Sequence, residues 1–390
     1  MLGGTVFTVL GPDVIVEAMK SPAGVMEFHD ANMELFEMEY CFRDKNIPKK
    51  LPIQAVRGPF TRNVPLLLKR MEKEYERVFT EALGTNMAIS DMRDTLMKML
   101  VHCKSRQCSE FISLFPIKSL GYLLAPLVVD LKRHHRTLDS ILIPEIQRRQ
   151  KAAKVPGFVP PMDLLQFICE LRKDNDELGK PEELVKSVNF MIFASIFDTL
   201  FHTTHFFYDI AGLPGMRARM YEEQQQIIAK HGTDFTKEAL QDMTYMDACL
   251  RETLRLHTNA TSTVRMAMRE VTFANGLSIP ARRLCFVHSR AANRCANTYE
   301  AADDYLPERI SATPGMRAST TGPGYVTFGM GRTACPGRVF IVSVIKSLAA
   351  WTLRHYDFAT KSGTRPKSSV QQFGDYLPTP EPILFELRNA

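Results

Sequence analysis

The segment Phe328-Gly-Met-Gly-Arg-Thr-Ala-Cys335-Pro-Gly337 sets one cysteine among glycines and a proline, just before an apolar stretch with helical spacing. Glycines let a backbone lie close against a flat ligand, and a thiolate at a helix start faces free N–H groups that stabilise negative charge. Those N–H groups would also donate to sulfur and temper its electron donation to a metal. The plainer alternative is a helix-capping turn with a bystander cysteine, because cysteine is often simply a small buried hydrophobe. Glu252-Thr-Leu-Arg255 puts opposite charges at i and i+3, on one helix face. Alone, such a pair is usually a solvated salt bridge of little value. Here Leu250, Leu254 and Leu256 bury much of the helix, and a buried pair needs further partners to offset desolvation. Tyr305-Leu-Pro307-Glu-Arg309 offers one, a guanidinium able to bridge to the glutamate. In the most apolar long stretch, Val188 to Leu213, Asp198 sits beside Thr199, an acid next to a hydroxyl that can relay a proton. The alternative is an N-cap-type aspartate marking a kink, since Asp is a poor helix-interior residue.

The elements that must hold these residues follow from periodicity. Residues 1–20 read as a strand and a short helix with Gly11-Pro12 as the turn. Leu66, Leu67, Met71, Tyr75, Val78 and Phe79 give helical spacing within 60–100, and Leu120 to Gln150 reads as one or two more helices. Lys154 to Pro161 is a proline-rich loop, Asp163 starts another helix, and Pro181 opens the long apolar one at the position a helix tolerates. Asp242 to His257 is helical. Val264 to Ala292 suggests short strands, residues 297–327 are irregular, Pro336 to Tyr356 is a helix, and the end holds loop and terminal strands. The profile is mainly α, with a large helical part and a small β-rich part.

Composition narrows the class. At 45% apolar and 24% charged the chain is an ordinary globular protein, which excludes disorder, collagen and a multi-span membrane protein. Its 390 residues allow two to three domains at about 150 residues each, or one large one. A net charge of +6 is a mild bias that gives no support for nucleic-acid binding and leaves peripheral contact with an anionic membrane open. The eight cysteines include no CxxC pair and read as reduced thiols of an intracellular protein; Cys103 and Cys108 have no matching Cys/His pair for zinc. Asn189, Asp198, His202, His205 and Asp209 lie in the Val188–Leu213 stretch, so a helix through the centre of a large protein fits it better than a membrane span. No glycine-rich dinucleotide fingerprint precedes a helix.

Taken in order, these motifs resemble the cytochrome P-450 family: Glu252-Thr-Leu-Arg255 its ExxR helix, Pro307-Glu-Arg309 its PER segment, and Phe328, Gly331, Cys335 and Gly337 its FxxGxRxCxG loop. The texture is most similar to fungal members that act on terpenoids and related secondary metabolites, with His134-His135-Arg-Thr, Ile143-Pro-Glu-Ile-Gln-Arg and Cys335-Pro-Gly-Arg338 in support. The resemblance implies one cytochrome P-450 domain over 1–390 and a haem b whose axial ligand is the Cys335 thiolate, which favours O–O cleavage. Phe328 would shield that ligand, while Glu252, Arg255 and Arg309 would form a structural charge network. Arg265 stands where the family usually holds a haem propionate, its alternative being a surface strand arginine. Arg57 is a candidate second propionate contact. The implied activity is a monooxygenase that inserts one oxygen atom of O₂ into an apolar small molecule, with electrons from NADPH through a separate reductase, at the endoplasmic reticulum surface. Desaturation, epoxidation or ring rearrangement by the same haem is the runner-up, and a haem-free, non-catalytic remnant is the rival from another class.

Several features depart from the family pattern. Thr333 replaces its Arg or His two residues before the ligand, though Arg332 beside it could compensate. The usual N-terminal membrane anchor, hinge and first strands are expected to be lacking, and the resemblance breaks around Cys103 to Phe115. On the apolar helix two registers fit: with Ala194 first, Phe197 replaces the family acid and Asp198 its Thr; with Ser195 first, Asp198 and Thr199 keep their roles but Ile196 replaces a glycine.

Overall fold

The computed structural model describes residues 6–42, 50–84, 87–99, 125, 129–171, 179–259, 263–311, 313, 315–370 and 376–388. The Cys103–Phe115 segment lies outside them. The architecture is organised around the helix Pro181–Gly212, which proline opens and Glu182 and Glu183 stabilise against the positive helix start. Every residue from Leu200 to Gly212 is buried. The helices Met92–Met99, Leu131–Ala152, Leu164–Glu170, Pro214–His231, Thr244–Leu256 and Arg338–His355 all pack on it. Length and composition would also suit a membrane crossing, yet Asn189, His202, Thr203, Thr204, His205 and Asp209 are buried in protein. Gly212 is needed for its size: a Cβ there would come 2.3 Å from the Arg365 backbone, where the C-terminal chain crosses the helix.

Helix and loop assignments follow the sequence pattern closely. The first strand and helix are Phe7–Leu10 and Pro12–Lys20. The 60–100 region divides into the helix Val64–Leu83, the two-residue strand Ala88–Ile89 and the helix Met92–Met99, because Gly84, with φ 51°, ends the first helix. Asp163 caps its helix by accepting from the Gln166 N–H. The short helices Phe28–Leu35 and Met38–Phe42 carry too few turns to show a period in sequence.

The β part is small. A four-stranded sheet runs in the order Phe7–Leu10, Leu284–Val287, Thr263–Ala267, Met26–Glu27, with the first pair parallel and the others antiparallel. All five residues of Thr263–Ala267 are buried, so this central strand is covered on both faces. Ile383–Leu387 pairs antiparallel with Tyr356–Thr360 and Ala88–Ile89. In the main core the central helix meets Val64–Leu83 through Phe207–Phe79 at 6.3 Å, and Val64–Leu83 meets Arg338–His355 through Phe79–Trp351 at 5.5 Å. A second cluster sets Phe36 and Phe42 against Phe193 at 5.5 and 5.4 Å.

Candidate functional site

Cys335 sits between the 3-10 turn Gly331–Thr333 and the helix Arg338–His355. Its N–H donates to the Phe328 carbonyl at 2.8 Å and closes the loop. Gly329 and Gly331 have φ of 68° and 67°, a conformation that favours glycine. Gly337 has an ordinary φ of −87°, and a Cβ there would make ordinary contacts with Val56 and Cys335. Two glycines therefore shape the turn and the third does not. Phe328 is buried in the main core with Cys335 packed against it. Burial pushes the Cys335 thiol up, the N–H groups of Gly337 and Arg338 pull it down, and the Asp198 carboxylate pushes it up. Asp198 is thus within electrostatic reach of the sulfur, although it belongs to the central helix.

Three guanidinium groups gather beside this loop. Arg265 is 2% exposed, and its hydrogen bonds go to neutral groups, the Val264 carbonyl at 2.8 Å and the Thr333 hydroxyl at 2.6 Å. Burial first, and Arg332 second, pull its pKa down to about 10, against a small opposing effect of Glu27. Arg332 pairs with Glu27 at 3.2 Å, and the exposed Arg57 donates to the Arg332 carbonyl at 3.4 Å. A buried cation whose partners are neutral is costly unless an anion joins it. Among the described residues one carboxylate, Glu27, is paired with this arginine group, so the set fits a ligand that brings carboxylates of its own. The two propionates of a haem ligated by Cys335 meet that description. Thr333 has become a support for Arg265.

The ExxR motif is fully buried. Glu252 and Arg255 are both 0% exposed and paired, and Arg309 Nε reaches the other Glu252 oxygen at 2.5 Å. Arg255 also donates to the carbonyls of Asn293, Ala302 and Asp304 at 3.0, 2.6 and 3.0 Å. Asn293 extends the network: its side chain donates to the Thr327 hydroxyl at 2.8 Å and accepts from the Val326 N–H at 2.8 Å. The charges are thereby tied to the backbone just before Phe328. Nothing in the sequence around Asn293 singles it out.

On the central helix, Ala194 and Asp198 are exposed, Ser195 and Thr199 are half-buried, and Ile196 and Leu200 are buried, so Ala194 and Asp198 lie on its open face. The helix runs unbroken through Asp198, which removes the kink alternative. The Thr199 hydroxyl donates to the Ser195 carbonyl at 2.6 Å. Phe197 turns instead to the aromatic cluster of Phe193.

Two to three turns further lies a buried polar cluster. Asp209 pairs with Arg365, accepts from the Thr253 hydroxyl at 2.6 Å and lies 3.5 Å from His257 Nε2. Burial opposes its charge, but Arg365 and His257 hold the carboxyl down at about 2. His205 stacks on His257 at 4.4 Å, accepts from Arg365 at 2.8 Å and donates to the Tyr376 carbonyl at 2.7 Å. Burial also lowers His257 to about 4 and His202 to about 3, so these rings are neutral near pH 7. The spacing of His202, His205 and Asp209 at i, i+3 and i+7 marks one helix face, a signal that sequence reading used only to argue against a membrane span.

Comparison with known proteins agrees with this geometry. A cytochrome P450 monooxygenase (number 151) of the fungus Postia placenta is 25% identical, over 98% of this chain and 84% of that protein. Cytochrome P450 monooxygenase CYP512U6 of Ganoderma lucidum is 30% identical, over 63% of this chain and 50% of that protein. Among solved structures, a retinoic acid-bound cyanobacterial CYP120A1 superposes with a TM-score of 0.73 at 17% identity, covering 97% of this chain and 89% of that one. The sequence profile described as Cytochrome P450 matches residues 61–387, a span that holds the buried ExxR pair and the Cys335 loop. With the helical fold, the cysteine turn and the arginine group all in place, the chain belongs to the cytochrome P450 family, an oxidoreductase family of monooxygenases.

Proposed function

We propose that the chain is a haem-thiolate monooxygenase that hydroxylates an apolar small molecule, a terpenoid or related secondary metabolite, with NADPH electrons passed through a separate reductase. The observation that carries the reading is Cys335 on its glycine turn beside a buried Arg265 whose hydrogen-bond partners are neutral, with Asp198 within electrostatic reach of the sulfur. Cys335 would ligate the iron, Phe328 would cover the sulfur, and Arg265, Arg332 and Arg57 would hold the propionates. Haem so bound supplies the reductive activation of O₂. Glu252, Arg255 and Arg309 keep the loop in place. The proton on the open face is handled by the Asp198 carboxyl, because the Thr199 hydroxyl spends its hydrogen on Ser195. Phe190, Phe193 and Phe197, with Phe36 and Phe42, form an aromatic wall along the helix segment that leads to Asp198, which suits an apolar substrate and excludes water. The protein would work at the endoplasmic reticulum surface, beside its reductase.

The test supplies the holoprotein, a P450 reductase, NADPH and ¹⁸O₂ with a panel of terpenoids. One ¹⁸O atom in a product, dependent on NADPH, supports the reading. A double bond formed with no label in the product would instead support desaturation.

A further inference from the structure

The orphaned buried polar atoms of this protein are unevenly distributed. Gln166, Gln224, Arg251, Arg294 and Arg354 each have one buried side-chain atom without a partner, but each bonds through another atom of the same side chain. Four side chains are different: Glu72 Oε1, His202 Nδ1, Thr258 Oγ1 and Asn259 Oδ1 are buried and unpartnered, and none of the four makes a hydrogen bond elsewhere among the described residues. Glu72 stands apart on the helix Val64–Leu83, which leaves the three neutral groups His202, Thr258 and Asn259. A native protein rarely leaves such groups unpaired without a purpose.

Their position is specific. His202 follows Ala194 and Asp198 at four-residue steps, and four residues turn a helix by only about 40° past a full circle, so it continues the open face. His205, three residues on and on the same side of the helix, stacks on His257 at 4.4 Å, where the helix Thr244–Leu256 ends. Thr258 and Asn259 directly follow, so all three orphans belong to one helix crossing. The neighbouring cluster saturates itself: His205, Asp209, Thr253 and His257 have their partners in one another, Arg365 and the Tyr376 carbonyl. Pairing stops short of His202, Thr258 and Asn259.

We propose that His202, Thr258 and Asn259 form a polar subsite that takes a hydroxyl group of the substrate, so that the natural substrate is an alcohol on an apolar skeleton. This rests on the monooxygenase reading above. The three groups are neutral, so a carboxylate or ammonium would arrive uncompensated. An amide oxygen needs a donor, and the imidazole and the threonine hydroxyl can each donate or accept. A hydroxyl both donates and accepts; a ketone only accepts and would leave the amide oxygen stranded. The reaction that supplies this substrate must therefore already have installed oxygen, either an earlier hydroxylation or a cyclisation quenched by water.

Matched hydrocarbon and alcohol pairs of increasing size test this: bornane and borneol, adamantane and 1-adamantanol, androstane and androstan-3-ol. Each is titrated into holoprotein that shows the thiolate CO band, following the haem absorption shift and the ring ¹⁵N signals of His202. At least one alcohol should bind about ten- to a hundredfold more tightly than its hydrocarbon and should shift the His202 nitrogens. In His202→Phe and in the Thr258→Val, Asn259→Leu double variant that preference should fall to near unity with the haem spectrum intact. A preference absent from every pair, or one that survives both variants, overturns the subsite, as does the absence of any alcohol binding. Loss of the CO band in the wild type would fail the haem-thiolate reading itself, which keeps the two outcomes apart.

Discussion

Removal of Arg255 should cost the protein its haem and its stability before it costs chemistry. Arg255 is 0% exposed, pairs with Glu252 and donates to three backbone carbonyls, those of Asn293, Ala302 and Asp304. Arg255→Ala leaves Glu252 buried with Arg309 as its remaining cation, and three carbonyls lose a donor. Breaking a buried pair from one side costs about 3–5 kcal/mol, against a total stability of roughly 5–15 kcal/mol. With a urea dependence near 3 kcal/mol per molar, at the top of the usual range, the unfolding midpoint should fall by about 1–2 M. Because Asn293 carries the network to Val326 and Thr327, the Cys335 loop should loosen as well. The assay is thiolate-type haem per polypeptide after purification, with the urea midpoint of the same samples. Arg255→Lys keeps the charge but not the planar fork and should recover only part of both. Normal haem content and an unshifted midpoint, with turnover abolished, would refute the reasoning and make the pair catalytic.

Other outcomes follow from the same structure. Asp198→Asn should leave the haem spectrum intact while product per NADPH falls and peroxide rises; unchanged coupling in a stopped-flow and peroxide assay would remove Asp198 as the proton carrier. Lowering the pH should destabilise the fold between about 6.5 and 4. His202 and His257 have folded values of about 3 and 4, below the ordinary 6.5, so the unfolded chain binds protons first and stability present above 6.5 is lost as pH falls. Thermal midpoints across that range check it, and His202→Phe should flatten the slope; a flat wild-type profile would contradict the neutral buried rings.

What the sequence made legible was what local spacing decides. The glycine–cysteine turn, the i,i+3 pair and its arginine partner are short patterns with a chemical reason, and the structure brings Glu252, Arg255 and Arg309 together. The central helix announced itself through its proline start and apolar run. Properties set by distant contacts were not readable. Arg265 could have been a surface strand residue; its guanidinium is met by the Thr333 hydroxyl and the Phe28 ring, both far away in sequence. Which face of the central helix stays open, with Ala194 and Asp198 on it, depends on packing by distant segments. Gly212 looks like an ordinary helix end until Arg365 is seen crossing it. The His205–Asp209–His257–Arg365 cluster draws on three separate segments, and only its helical half carries a period.

The central claim is that Cys335 holds a haem iron as its thiolate, and the reduced, CO-bound absorption spectrum tests it most directly. The wild-type protein should give the red-shifted Soret band of thiolate ligation, and Cys335→Ser should lose that band while Cys249→Ser and Cys285→Ser, at cysteines more deeply buried than Cys335, keep it. A thiolate band that survives Cys335→Ser, or a wild-type protein that binds haem without one, would contradict the account.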